Sequence, residues 1–136
     1  MEKDRQQQNT TLLENAQMFK ALGDETRLRM VGLLTHGELC VCDIMEVLHL
    51  PQSTASRHLA YLKNAGWILG TRRGKWMYYR LNDTIPNDPV GSVDPVYSVD
   101  SVHRPIVRYL AGLEEVKADH QALATFLSNK HSQSCN

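Results

Sequence analysis

The 136-residue chain is 42% apolar and 22% charged, a composition that fits one ordinary globular domain with a modest core. No run approaches the ~18 consecutive apolar residues of a membrane span, and the polar stretch Met1–Thr11 lacks the apolar centre of a secretory signal, so no membrane partner and a cytoplasmic location are expected. The 15 basic and 15 acidic residues cancel, which taken as a total argues against a nucleic-acid partner.

In chain order, 1–11 reads as a flexible start. Leu12, Leu13, Ala16, Phe19 and Leu22 then recur at helical spacing and Gly23 ends that helix. Asp24 is a good N-cap for a second helix with Leu28, Met30, Val31, Leu33 and Leu34 on its buried side, and Gly37 stops it. A short third helix is predicted over about Val41–His49, with Asp43 and Glu46 spaced as a capping box, so its start could fall as late as Asp43. Leu50-Pro51 makes the turn into a fourth helix over about Pro51–Asn64, whose core side is Ala55, Leu59 and Leu62.

Two helices joined by a tight turn form a helix-turn-helix. Aromatic and β-branched residues on either side of Arg73-Gly74, from Trp67-Ile68-Leu69 to Trp76-Met77-Tyr78-Tyr79, predict a hairpin next, the wing of a winged helix. The fold class expected is therefore mainly α with a small β-hairpin, a winged helix-turn-helix over 12–82. Residues 83–104 contain Pro86, Pro89 and Pro95 and a repeated Ser-Val-Asp, and read as a long extended loop. A single C-terminal helix over 105–130 is predicted to open at Pro105, line one side with Ile106, Tyr109, Leu110, Leu113, Val116, Leu123, Phe126 and Leu127, and pack against a second subunit. The tail 131–136 reads as flexible.

The charge is segregated. From Pro51 to Asn82 there is no Asp or Glu, while Arg57, Lys63, Arg72, Arg73, Lys75 and Arg80 lie there with His58. One basic face inside an otherwise acidic chain is the footprint of a phosphate-backbone binder. The fourth helix opens Gln52-Ser53-Thr54-Ala55-Ser56-Arg57-His58, and recognition helices enter the major groove N-terminus first. Gln reads adenine, Ser and Thr read either base type and Arg favours guanine, so Gln52, Ser53, Thr54, Ser56, Arg57 and His58 are the candidate readers. Arg72, Arg73 and Lys75 at the wing tip are candidates for gripping the backbone or entering a minor groove.

Three stretches in this order resemble the ArsR/SmtB family of metal-responsive repressors. They are Ala21-Leu22-Gly23-Asp24-Glu25-Thr26-Arg27-Leu28-Arg29, Glu38-Leu39-Cys40-Val41-Cys42-Asp43-Ile44 and Gln52-Ser53-Thr54-Ala55-Ser56-Arg57-His58-Leu59, with Tyr78-Tyr79-Arg80-Leu81 closing the wing. The resemblance covers about residues 11–82. It implies a dimeric winged helix that binds operator DNA, represses its own operon and dissociates on binding an inducer. Glu-Leu-Cys-Val-Cys-Asp resembles the inducer loop of the arsenic-responsive members, which implies that Cys40 and Cys42 are the inducer ligands.

Three cysteines, Cys40, Cys42 and Cys135, without an export signal argue against a disulfide framework and for metal or redox chemistry. A soft thiolate pair suits arsenite or antimonite as inducer, with cadmium, lead or zinc as alternatives, and no organic cofactor is expected. On a regular helix residues i and i+2 lie about 200° apart, so a shared ion is expected to bend or unwind the first turn of the third helix. Arsenic-responsive members often carry a third cysteine where this chain has Met45; Cys135 is the candidate replacement. Asp119-His120 lacks the spaced second set of zinc-sensing relatives and reads as a solvated helix face, and His103 has no role from sequence.

A redox or sulfide-sensing repressor of the same fold is the first alternative, although Cys40 and Cys42 would close a strained ring. A constitutive DNA binder without a ligand is the second. An enzyme is not expected: no Cys-x-x-Cys, carboxylate pair, nucleophile–base set or Gly-rich phosphate loop is present.

Overall fold

A computed structural model describes residues 11–82 and 99–130, excluding the side chains of 99–102. The elements in order are α1 (Leu12–Ala21), α2 (Glu25–Leu33), a 3-10 turn (Leu34–His36), β1 (Leu39–Cys40), α3 (Val41–Leu48), α4 (Gln52–Asn64), β2 (Ile68–Arg73), β3 (Trp76–Leu81), α5 (Val99–Ala111) and α6 (Glu114–Asn129). The expectations for 1–10, 83–98 and 131–136, Cys135 included, lie outside the described residues.

Local chemistry explains the early boundaries. Thr11, read from sequence as part of the flexible start, caps α1: its side chain accepts from the Glu14 N–H at 3.1 Å while the Glu14 carboxylate accepts from the Thr11 N–H. Asp24 accepts from the Arg27 N–H at 3.1 Å and starts α2. Between α3 and α4 the chain turns through His49 in the left-handed region, at φ 55°. Pro51 is the N-cap of α4 and not its first residue; its carbonyl accepts the first α4 bond, from the Ala55 N–H at 3.0 Å.

The wing is larger than expected. β2 and β3 pair from Ile68↔Leu81 to Arg73↔Trp76, closing on a two-residue turn with Gly74 at φ 65°. Positive φ at the first turn position is the type II′ geometry, which Gly supplies without a Cβ penalty. A third strand, β1, pairs antiparallel with β3 through Leu39↔Tyr79 and Cys40↔Tyr78, giving the sheet order β1-β3-β2. Two residues are too few to show a period of two, so the sequence carried no sign of this strand.

The core gathers Met30, Leu33, Leu34, Ile44, Leu59, Leu62, Ile68 and Leu123 around Trp67. Trp67 donates its indole N–H to the Met18 carbonyl at 2.8 Å and stacks on His103, with ring centroids 4.1 Å apart. One buried side chain thus ties α1, β2 and α5 together, and His103 belongs to the core.

The C-terminal region corrects the sequence reading. Helix is already formed over 99–104, expected to be loop, and α5 continues through Pro105 without the bond that its missing N–H would have made. The expected single helix is two: Gly112 and Leu113 bond back to Tyr109 and Leu110, and Leu113, extended at ψ 142°, is the N-cap of α6. Asp119 and His120 are not a solvated face. Asp119 is buried and accepts from Arg29 at 2.8 and 3.0 Å; His120 Nε2 lies 2.9 Å from the Gly32 carbonyl and 2.8 Å from Thr35 Oγ1. Val116 packs directly on Gly32, where an added Cβ would come within 2.7 Å of its methyl carbon.

Candidate functional site

The cysteine pair begins with Cys40, which belongs to two elements at once. Its backbone is a strand residue paired with Tyr78, and the same residue, at φ −69° and ψ 148°, is the N-cap of α3. The Asp43 carboxylate reaches back to accept the Cys40 N–H at 3.1 Å, the reciprocal half of a capping box. Cys42 is the second residue of α3. Because Cys40 is extended and not helical, the 200° separation expected from helical geometry does not arise, and the two Sγ atoms lie 3.0 Å apart. Cys40 is buried and Cys42 half-buried.

Two thiolates bound to one ion at about 2.3 Å each, with an angle of about 90–110°, lie about 3.3–3.8 Å apart. The observed spacing therefore needs only a small opening to hold a thiophilic ion between the two sulfurs. Met45 is half-buried on the same helix. No group of three or more His, Cys, Asp or Glu side chains placed to hold a metal occurs among the described residues.

The expected DNA-reading side chains divide into two sets on α4. Gln52, Ser53, Ser56 and Arg57 are exposed, whereas Thr54 is half-buried. His58 turns inward, with Nδ1 3.3 Å from Arg27 Nη1 and 4.0 Å from the Asp24 carboxylate. Arg27 also donates from Nε to the Ala21 carbonyl at 2.6 Å and lies over the Tyr61 ring at 4.2 Å. It links the end of α1 to α4, the candidate recognition helix. Sequence reasoning gave Arg27 no such role, because its three partners are distant in the chain or are backbone.

On the wing, Arg72 and Lys75 are exposed. Arg73 points the other way, as alternation along a strand requires. It pairs with Glu38 at 2.6 Å and lies over the Tyr78 ring at 4.7 Å. The three wing cations are thus two outward donors and one clasp to the segment before Cys40. Burial pushes the Tyr79 phenol above its usual range, and the Asp119 carboxylate raises Arg29 further.

Residues 24–68 match the family of bacterial regulatory proteins termed arsR. The arsenical resistance operon repressor of Escherichia coli K12 is 44% identical over 97 residues, covering 70% of this chain and 83% of that protein. The chain belongs to the arsR family. The arsenic resistance transcriptional regulator ArsR1 of Pseudomonas putida is 49% identical over 70 residues, 51% of this chain and 55% of its own length. A cadmium resistance transcriptional regulatory protein CadC homolog of Staphylococcus aureus is 43% identical over 82 residues, 60% of this chain and 66% of its own length.

Solved structures agree on the fold of this arsR-family chain. A possible transcriptional regulatory protein of Mycobacterium bovis superposes with TM-score 0.55 at 29% identity, covering 81% of this chain and 97% of that one. A homodimeric winged helix-turn-helix DNA-binding domain of Mycobacterium bovis superposes with TM-score 0.53 at 23% identity, covering 92% of this chain and 87% of that one. No helix among the described residues is long and apolar enough to cross a membrane.

Proposed function

We propose that this chain is a homodimeric DNA-binding repressor of a metal(loid)-resistance operon, released from its operator when arsenite or antimonite binds Cys40 and Cys42. Cadmium, lead and zinc are the alternative inducers. The observation that carries the reading is a pair of cysteine sulfurs 3.0 Å apart, one of them on a strand hydrogen-bonded into the wing. The names of the arsenical and cadmium resistance relatives support the inducer class. A repressor works where the chromosome is, which supports a cytoplasmic location.

The chemistry balances without an oxidant. Each thiol replaces one hydroxide of As(OH)3 and releases one water, and arsenic stays in the +3 state. Cys135 is the candidate for the third position; otherwise the remaining hydroxide or a small thiol completes it. Opening the sulfur pair moves Cys40. That residue is paired to β3 on one side and starts α3, which packs behind α4, on the other, so both DNA-contacting elements are displaced. Couplings of this kind are typically worth about 1–3 kcal/mol, or roughly 5–150-fold in affinity.

Gln52, Ser53, Ser56 and Arg57 read bases from α4, with Arg72 and Lys75 on phosphate; Thr54 and His58 support them from less exposed positions, and Arg73, exposed but paired with Glu38, from the wing. Leu12, Leu13 and Phe19 on α1 and Tyr109 on α5 are large apolar side chains left exposed, and they are the surface a second copy covers.

The test is fluorescence anisotropy of the reduced protein on DNA from its own upstream region, titrated separately with arsenite, antimonite, cadmium, zinc and peroxide. Release by near-stoichiometric arsenite or antimonite, abolished in Cys40→Ser and Cys42→Ser variants that still bind DNA, is the expected result. Release by peroxide alone would point to the redox sensor. Specific binding that no additive disturbs would leave a constitutive DNA binder.

A further inference from the structure

We propose that Asp43 and Lys130 form a latch by which the thiol loop holds the end of α6, and that filling the thiol site opens it. The proposal rests on the inducer reading above and adds an element to it. Asp43 follows Cys42 directly and is one of the few charged side chains buried among the described residues. Its two oxygens serve different elements. Oδ2 accepts the Cys40 N–H at 3.1 Å, and Oδ1 accepts from Lys130 Nζ at 2.5 Å, joining residues 87 positions apart.

Lys130 is the C-cap of α6. A lysine there ordinarily stays in water near the last carbonyls of its own helix. This one lies only 23% exposed, passes over the Phe126 ring at 5.8 Å and ends on a carboxylate of α3. Elsewhere α6 is fixed to α2: Asp119 to Arg29, His120 to Thr35 and the Gly32 carbonyl, Val116 onto Gly32. The helix therefore spans two elements, with its first half fastened to α2 and its last turn tied to the start of α3.

That arrangement makes Asp43 the point where movement of Cys40 is felt. Seating an ion requires the sulfurs to part, and the Cys40 N–H that Asp43 accepts moves with its residue. A buried ion pair with one partner misplaced is costly, so the pair is made or broken and not gradually stretched. Asp43 and Lys130 are positioning residues: neither touches the ion, and both act through the backbone of Cys40.

A contact made only in the DNA-binding state raises the population of that state, so it favours operator binding and opposes inducer binding, and the two fold-changes multiply to the factor by which the contact shifts the equilibrium. Lys130→Met is expected to weaken operator affinity and tighten sodium arsenite binding, by factors whose product is about 5 or more, with Lys130→Arg close to wild type in both. Purely structural support would lower the melting temperature and leave the two affinities unshifted. Hydrogen exchange on the wild-type protein reads the same event without a variant. Arsenite should cost protection at Phe126–Lys130 while Asp119–Leu123 stays protected. If arsenite releases the wild-type protein yet neither the Lys130→Met affinities nor the exchange at Phe126–Lys130 move, the latch is overturned and the inducer reading stands. If arsenite does not release the wild-type protein, both fall together.

Discussion

Arg72 and Arg73 are neighbours in sequence, identical in chemistry and set on opposite faces of β2, so they offer a test in which geometry alone makes the difference. Both are exposed, but Arg73 is also held by Glu38 at 2.6 Å and by the Tyr78 ring. Each phosphate contact contributes about 0.9 to the slope of log affinity against log salt concentration. The proposed homodimer presents two copies, so Arg72→Gln should flatten the slope by about 1.8. Between about 50 and 200 mM salt, that change corresponds to roughly a twelvefold smaller loss of affinity. Arg73→Gln should flatten the slope by less than half as much, because its charge is already matched by Glu38. Glu38→Gln should steepen it, by releasing Arg73 toward the DNA. The assay is operator binding by anisotropy across a salt series, with circular dichroism to check that each variant folds. Equal flattening by Arg72→Gln and Arg73→Gln, with no effect of Glu38→Gln, would refute the clasp.

Other expectations concern stability, pH and assembly. Gly32→Ala places a Cβ 2.7 Å from a Val116 methyl carbon and should cost about 1–3 kcal/mol, seen as a lower melting temperature; Gly32→Ala combined with Val116→Ala should recover part of it. Burial raises the Tyr79 phenol, so the folded state keeps its proton where the unfolded chain has lost it. Stability should therefore be unaffected by this group below the unfolded value near 10.0 and fall as pH rises above it. Tyr79→Phe should remove that part of the alkaline slope in denaturant titrations. Phe19→Glu places a charge in the exposed apolar stripe of α1 and should shift sedimentation from dimer toward monomer, weakening operator binding in parallel. Unchanged sedimentation at micromolar concentration would place the dimer surface elsewhere.

The order of elements from α1 to β3, β1 excepted, was legible because its signals are local. Asp24, Gly37, Pro51 and Gly74 act on the chain within a few residues of themselves, and the apolar stripes of α2 and α4 repeat within one helix. The acid-free block and the Cys-Val-Cys motif are likewise features of adjacent residues. The assignments that failed depended on partners far along the chain. Asp119 and His120 look solvated until α6 lies against Arg29 and Thr35.

The thiol site combines both kinds of information. Sequence alone determined which two sulfurs are present, how many residues separate them, and that a helix begins beside them. Tertiary structure decided that they lie 3.0 Å apart, because pairing with Tyr78 holds Cys40 extended where helical geometry would have turned its sulfur away. It also decided that Asp43 meets Lys130, and that the exposed Arg73 pairs with Glu38. Strand pairing and ion pairs between distant residues depend on where the folded chain brings them, and no local pattern of residue types encodes that distance.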